Sequence, residues 1–301
     1  MDKEKIKSEI KKSYGEIAKG NIQVGCCSTD NGCCSTDEFS TCMAEDYSEI
    51  IGYQKDADLS LSCGLPTEIA NIKEGDTVID LGSGAGNDAF IARSIVGESG
   101  KVIGIDMTQE MVIRALQNNQ KLGYRNVEFV LGEIENMQSI QSSIADVIIS
   151  NCVMNFVLDK EKAFKEIFRV MKPGGHFSIS DIVYSGSIPV GVLNASEMHV
   201  GCLSGASEKD EYLRIIEKEG FRNIQIKKER KIELPDDLLL KYMNNQDLID
   251  YKNSSSGIYS VTIYADKLEG RNCSDSSGGC CCNGATNTSK EETKNRLNVG
   301  E

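Results

Sequence analysis

Apolar side chains recur at Ile6, Ile10, Tyr14 and Ile17, a spacing that predicts an amphipathic helix over residues 2–20. From about Asp46 short apolar runs alternate with helical ones. Thr77–Leu81 reads as a strand that enters a glycine turn, and residues 87–96 read as a helix. Lys101–Asp106 is a second strand, followed by a helix over 108–122 with Thr108 as N-cap. Val127–Leu131 and Ala145–Ser150 are the third and fourth strands. Lys160–Met171 is a helix stopped by Pro173-Gly174-Gly175, and His176–Tyr184 is the fifth strand. Residues 190–219 read as helical, broken at Cys202-Leu203-Ser204-Gly205. Phe221–Ile232 and Ile258–Ala265 are late strands suited to an antiparallel edge. Strands and helices alternating at this spacing give an α/β doubly wound sheet covered on both faces.

Three regions follow. Residues 1–45 hold the N-terminal helix and a Cys-rich segment. Residues 46–267 form the main domain, with a helical insertion at about 186–219 placed to cover a substrate. Residues 268–301 are Gly-, Ser-, Asn- and Cys-rich and read as a disordered tail. No apolar run is long enough for a membrane span, and the charged start leads into no apolar signal region. A cytoplasmic protein without membrane or nucleic-acid partners is expected, since the net charge is −13 and no basic patch is evident.

The glycine turn carries the first chemistry. Asp80-Leu81-Gly82-Ser83-Gly84-Ala85-Gly86-Asn87 follows a strand and opens a helix, so a ligand can approach the backbone closely. Asp106 ends the next strand, 20 residues after Gly86, where a carboxylate can accept both ribose hydroxyls. Gly-x-Gly-x-Gly is not the dinucleotide spacing and suits a ligand without a pyrophosphate. Asp80 can take an ammonium group. Met107 adjoins Asp106. Glu133 and Ile134 follow the third strand, where a carboxylate or N–H could read an adenine and Ile134 could lie against it. Asn151 ends the fourth strand at the sheet's ligand-binding edge. In this order the segments resemble the Rossmann-like class I S-adenosylmethionine methyltransferases.

Twelve cysteines are many for a reducing compartment. Cys26, Cys27, Cys33, Cys34 and Cys42 precede the domain, and Cys273, Cys280, Cys281 and Cys282 follow it. Cys63, Cys152 and Cys202 stand singly within patterned sequence, where a buried apolar role is the ordinary alternative. Cys63 lies in a turn, Cys152 at a strand's carboxyl end and Cys202 in the helical insertion, so three segments could bring three thiols to one mouth. Three thiolates suit a soft, pyramidal, trivalent centre. Zinc would ask for a fourth ligand, and the two histidines, His176 and His199, have no ligand spacing. An organic-substrate methyltransferase, acting on a quinone for example, or a metalloid-binding protein without activity, are the other readings.

The chain also resembles a narrower family, the microbial arsenite S-adenosylmethionine methyltransferases. The likeness rests on Tyr14-Gly15-Glu16-Ile17-Ala18, Leu61-Ser62-Cys63-Gly64, Asp80 to Ala89, Gly104 to Thr108, Gly132 to Asn136, Ser150-Asn151-Cys152-Val153-Met154-Asn155 and Gly201-Cys202-Leu203-Ser204-Gly205-Ala206. It implies an enzyme that methylates As(III) for arsenic detoxification. Cys152 and Cys202 would hold the metalloid throughout, with Cys63 and a more N-terminal cysteine, Cys26 or Cys27, taking part. It further implies arsenite or glutathione-bound arsenite as substrate, S-adenosylmethionine as methyl donor, and thioredoxin or glutathione as thiol reductant. A monomer is expected.

Overall fold

The computed structural model describes residues 3–21, 45–193 and 205–269. Helix α1 (Lys3–Ala18) is followed by a turn-rich stretch and the short α2 (Pro66–Ile69). Then come β1 (Thr77–Leu81), α3 (Asn87–Val96), β2 (Lys101–Asp106), α4 (Gln109–Leu122), β3 (Val127–Leu131) and β4 (Ala145–Asn151). A 3-10 turn (Met154–Phe156) and α5 (Lys160–Val170) lead into β5 (Met171–Ser185). The rest comprises α6 (Val190–Leu193), β6 (Ser207–Glu208), α7 (Lys209–Lys218), β7 (Arg222–Ile232), α8 (Asp236–Leu239), α9 (Asn245–Asn253) and β8 (Gly257–Asp266).

The sheet runs β3-β2-β1-β4-β5-β8-β7. Strands β1 to β5 are mutually parallel, and β8 pairs antiparallel with both β5 and β7. Strand order reverses between β1 and β4, which places a crevice at their carboxyl ends. Val78 packs with the helices α3 and α4, through Ala89, Phe90 and Val112. Its neighbour Ile79 faces the opposite layer, with Phe164, Ile167, Tyr212 and Ile216 of α5 and α7. Both faces are therefore covered, which is why the central strands are continuously apolar. The expected doubly wound sheet with a late antiparallel edge is what the chain forms.

Two expectations differ in detail. The helix over Lys160–Met171 ends at Val170, and Pro173-Gly174-Gly175 lies inside β5 as an irregularity in its pairing with β4. Gly174, at φ +81°, donates to Lys267 O, and Lys267 N donates back to Gly175 O, so these glycines extend the sheet edge. Second, residues 190–219 are not helical throughout. Ser207-Glu208 pairs with Val183-Tyr184 of β5, and α7 buries Tyr212 and Ile216 against the sheet. Among the described residues no helix is long and apolar enough to cross a membrane.

Candidate active site

β1 hands the chain to three left-handed glycines, Gly82 (φ +68°), Gly84 (φ +51°) and Gly86 (φ +101°). The N–H groups of Gly82 and Ser83 both donate to Ile105 O, which folds the loop back over β2. A Cβ on Gly82 would come within 2.3–2.9 Å of the Val153 side chain. One on Gly84 would meet nothing within 4 Å, because that position opens onto a cavity. A Cβ on Gly86 would strike the rings of Phe90 and Phe129, so Gly86 seats the start of α3 and does not line the cavity. Asp106 fixes the second wall. Its Oδ2 accepts from Gly84 N at 3.0 Å and its Oδ1 from Thr108 N at 2.8 Å.

The cavity measures about 1050 Å³ with its open mouth counted. Among the described residues five carboxylates line it, those of Asp58, Asp80, Asp88, Asp106 and Glu135, and no Lys, Arg or His does. Burial pushes Asp80, Asp88 and Asp106 up from the ordinary carboxylate range, Asp88 to about 6. Asp80 is raised further by its neighbours Asp88 and Asp106. Asp80 Oδ2 is buried without a hydrogen-bond partner. Buried carboxylates without counter-charge are costly, so this chamber selects a cationic occupant and disfavours a pyrophosphate. Asn87, Met107 and Ile134 line it as the sequence suggested, together with Gly82, Ser83 and Asn151.

Glu133 is a correction. It is not among the cavity-lining residues. Its carboxylate is held by Lys7 Nζ at 2.8 Å and Lys11 Nζ at 3.0 Å, both from α1. The lining carboxylate of that segment is Glu135, which Lys7 also approaches at 3.2 Å. These ion pairs draw α1 across the cavity, where Ile10 and Tyr14 form part of the wall and Tyr14 stands edge-on to Phe156 at 5.2 Å.

Asn151 joins this cavity to a packed apolar cluster. Its Nδ2 donates to Gly64 O (2.8 Å), Asp88 Oδ2 (3.1 Å) and the Tyr47 hydroxyl (2.5 Å). Its Oδ1 accepts from Cys63 N at 3.1 Å and lies 3.7 Å from Cys63 Sγ. The next residue is Cys152, which sits at φ +58°, a backbone conformation that strains a side-chain-bearing residue. Cys152 N donates to Ser180 O at 2.8 Å, which holds the bend at the end of β4. Both thiols are buried in one cluster with Ile182, Ile188, Val192 and Ile258, bordered by Tyr184, Tyr242, Met243 and Tyr251. Cys152 also lines the acidic cavity, and Cys63 does not.

Cys202, Cys26 and Cys27 lie outside the described residues, as do Cys33, Cys34, Cys42 and the four late cysteines. Leu193 and Ala206, on either side of residues 194–204, both pack against the Cys63–Cys152 cluster. Among the described residues no group of three His, Cys, Asp or Glu side chains is placed to hold a metal ion. Tyr47, Asp88 and Glu135 were missed from sequence. Asp88 directly follows the glycine loop and could have been found there; Tyr47 is an isolated aromatic with no pattern around it.

Residues 72–220 match the family described as a methyltransferase domain. The chain is 36% identical to the arsenite methyltransferase of Halobacterium salinarum, over 75% of its own length and 59% of that protein. It is 32% identical to the arsenite methyltransferase of Mus musculus, over 73% and 59%. It thus spans about three-fifths of the length of these curated relatives. The crystal structure of an arsenic(III) S-adenosylmethionine methyltransferase from Chlamydomonas reinhardtii superposes with a TM-score of 0.59 at 33% identity, covering 69% of this chain and 68% of that one.

Proposed function

The chain belongs to the arsenite methyltransferase family, and from that footing we propose that it transfers a methyl group from S-adenosylmethionine to thiol-bound trivalent arsenic. The observation that carries this reading is the junction at Asn151-Cys152, where an all-acidic cavity meets a buried thiol pair.

The residues present fit the methyl donor. Asp80, with its orphaned Oδ2, and Asp88 would take the methionine ammonium group. Asp106 would accept from the ribose hydroxyls, and Met107 and Ile134 would flank the base. When bound, S-adenosylmethionine supplies an electrophilic methyl group on a sulfonium centre. Among the described residues no cationic side chain lines the wall, and its carboxylates would attract both positive charges of the donor.

Cys63 and Cys152 offer two soft sulfur ligands, and Cys202 is proposed as the third. Each ligation replaces an As–OH bond by an As–S bond, and the thiol proton leaves with the hydroxide as water. Arsenic held by three sulfurs keeps its lone pair and carries no proton at the reacting atom. The site therefore needs no general base at the reacting atom; among the described residues the cavity wall contains no histidine. The chain's contribution is alignment: Asn151 fixes the Cys63 loop while the bend at Cys152 aims the second thiol along the cavity wall. Cys26 or Cys27 is proposed to assist. Methyl transfer uses the arsenic lone pair and leaves arsenic formally pentavalent; two thiols closing to a disulfide would return it to the trivalent state, and thioredoxin or glutathione is the proposed reductant that reopens that disulfide. Arsenite or its glutathione complex is the proposed substrate. Such thiols require a reducing setting, so a cytoplasmic location is proposed; a monomer is proposed alongside it.

Cys152→Ser tests this reading. The variant is expected to lose arsenite methylation while its S-adenosylmethionine affinity stays within about twofold of the parent. A parental rate of arsenite methylation in the variant overturns the proposal; an organic-substrate enzyme is expected to methylate arsenite in neither the variant nor the parent.

A further inference from the structure

One buried acid beneath the thiols takes no part in that chemistry. Asp181 of β5 is fully buried, and its Oδ2 accepts from the Tyr212 hydroxyl of α7 at 2.9 Å. The N–H groups of Ile182 and Met154 lie close enough to favour its charged form, but Oδ1 has no hydrogen-bond partner. Met154 opens the 3-10 turn that follows Cys152 and Val153, so the carboxyl sits against the bend that aims the Cys152 thiol. Flanking residues of β5 clasp the same bend: Ser180 O accepts from Cys152 N at 2.8 Å, and Ile182 O accepts from Asn155 Nδ2 at 2.9 Å. The Tyr212 phenol lies within electrostatic reach of both Cys63 and Cys152.

A second tie runs from the same place. Lys160, at the start of α5, is largely buried and interacts with the Asp181 charge. Its Nζ donates to Gly205 O at 3.2 Å and Val157 O at 3.4 Å. Gly205 also presses on the bend, since a Cβ there would fall 1.7 Å from Asn155 O. Gly205 is the first described residue after the 194–204 stretch that carries Cys202.

We propose that Asp181 is a positioning residue for the thiol site, which holds the Cys152 bend through Tyr212 and the 3-10 turn and, with Lys160, ties that bend to Gly205. The proposal rests on the arsenite reading and specifies how the ligand sulfurs are kept at one spacing. Asp181 reaches no reacting atom itself. Asp181 itself does not join the wall of the methyl donor's cavity, although Cys152, Val153 and Phe156 of the bend do, so its main effect is on arsenite ligation.

The test measures two affinities on the full chain. Arsenite binding is followed by the near-ultraviolet As–thiolate absorbance, and S-adenosylmethionine binding by calorimetry. Asp181→Ala is expected to weaken arsenite about tenfold and Asp181→Asn, which keeps an acceptor for Tyr212, less than about threefold, with S-adenosylmethionine unchanged in both. Tyr212→Phe is expected to weaken arsenite by about threefold and serves if the alanine variant does not fold. Equal arsenite affinity in Asp181→Ala and the parent overturns the positioning role. So does a parallel loss of both ligands that Asp181→Asn fails to rescue. If the alanine variant does not fold, an unchanged arsenite affinity in Tyr212→Phe overturns it. A parent protein that develops no As–thiolate band overturns the arsenite reading and this inference with it, and is thereby distinguished from failure of the inference alone.

Discussion

Asn151→Ala removes the side chain that joins the acidic cavity to the buried thiol cluster, and its cost can be worked bond by bond. Cys63 N–H loses its acceptor, Gly64 O loses the Asn151 donor and Asp88 loses one of its two donors. Tyr47 keeps its own donation to Gly64 O and Asp88, so it adds little. Two neutral hydrogen bonds contribute about 1 kcal/mol each and one to a carboxylate about 2 kcal/mol, giving a loss of roughly 4 kcal/mol. Domains of this size lose about 2–4 °C of melting temperature per kcal/mol, so a fall of roughly 8–16 °C is expected. Urea unfolding is the assay, with the slope unchanged and the midpoint lowered. Asn151→Asp separates hydrogen bonding from packing, because a neutral acid can donate to Asp88 and an ionised one repels it. That variant is expected to be less stable at about pH 8 than at about pH 5 relative to the parent. A loss below about 1 kcal/mol in Asn151→Ala would refute the view that this residue carries the junction.

Other consequences are open to measurement. Burial raises Asp80 and Asp88, and a bound cation favours their ionised forms, so binding the methyl donor should release protons. Its affinity is then expected to strengthen as pH rises through about 6, where Asp88 titrates, by about three- to tenfold. Calorimetry in buffers of different ionisation enthalpy checks the sign; proton uptake on binding would contradict it. Gly82→Ala places a methyl group against Val153 in a left-handed conformation and is expected to cost about 2–3 kcal/mol. Val153→Ala should restore a large part of that loss in the double variant, and strict additivity would count against the clash.

Most of the sheet was legible because each central strand is a short apolar run bounded by a glycine or a capping residue. β1, α3, β2 and β3 lie where the pattern puts them. The late antiparallel pair was also readable, since Tyr259, Val261, Ile263 and Ala265 alternate along one apolar face of a strand that ends up between two others. What failed was local. Pro173-Gly174-Gly175 looks like a chain stop, and its pairing with Lys267, nearly a hundred residues on, leaves no mark in the pattern around it. Ser207-Glu208 reads as a helix start because Glu208 does cap α7, accepting from Glu211 N, while its own backbone pairs with β5. At the site, Asp80, Asp106 and Cys152 stood out because strand ends in this architecture face the ligand. Glu133 and Glu135 differ by two positions in one irregular turn, and only the lysines of α1 decide which of them faces the cavity. Tyr47 and Asp181 act through contacts 41 and 31 residues away in sequence, which no local pattern encodes.

The central claim is that arsenic receives the methyl group. The direct measurement is arsenic speciation after incubating the purified full chain with arsenite, S-adenosylmethionine and a thiol reductant, with S-adenosylhomocysteine quantified in the same samples. The account predicts methylated arsenicals in proportion to the S-adenosylhomocysteine formed, about one methyl group on arsenic for each molecule released, and neither product when Cys152 is serine. Inorganic arsenic recovered unchanged, with or without S-adenosylhomocysteine, would contradict it.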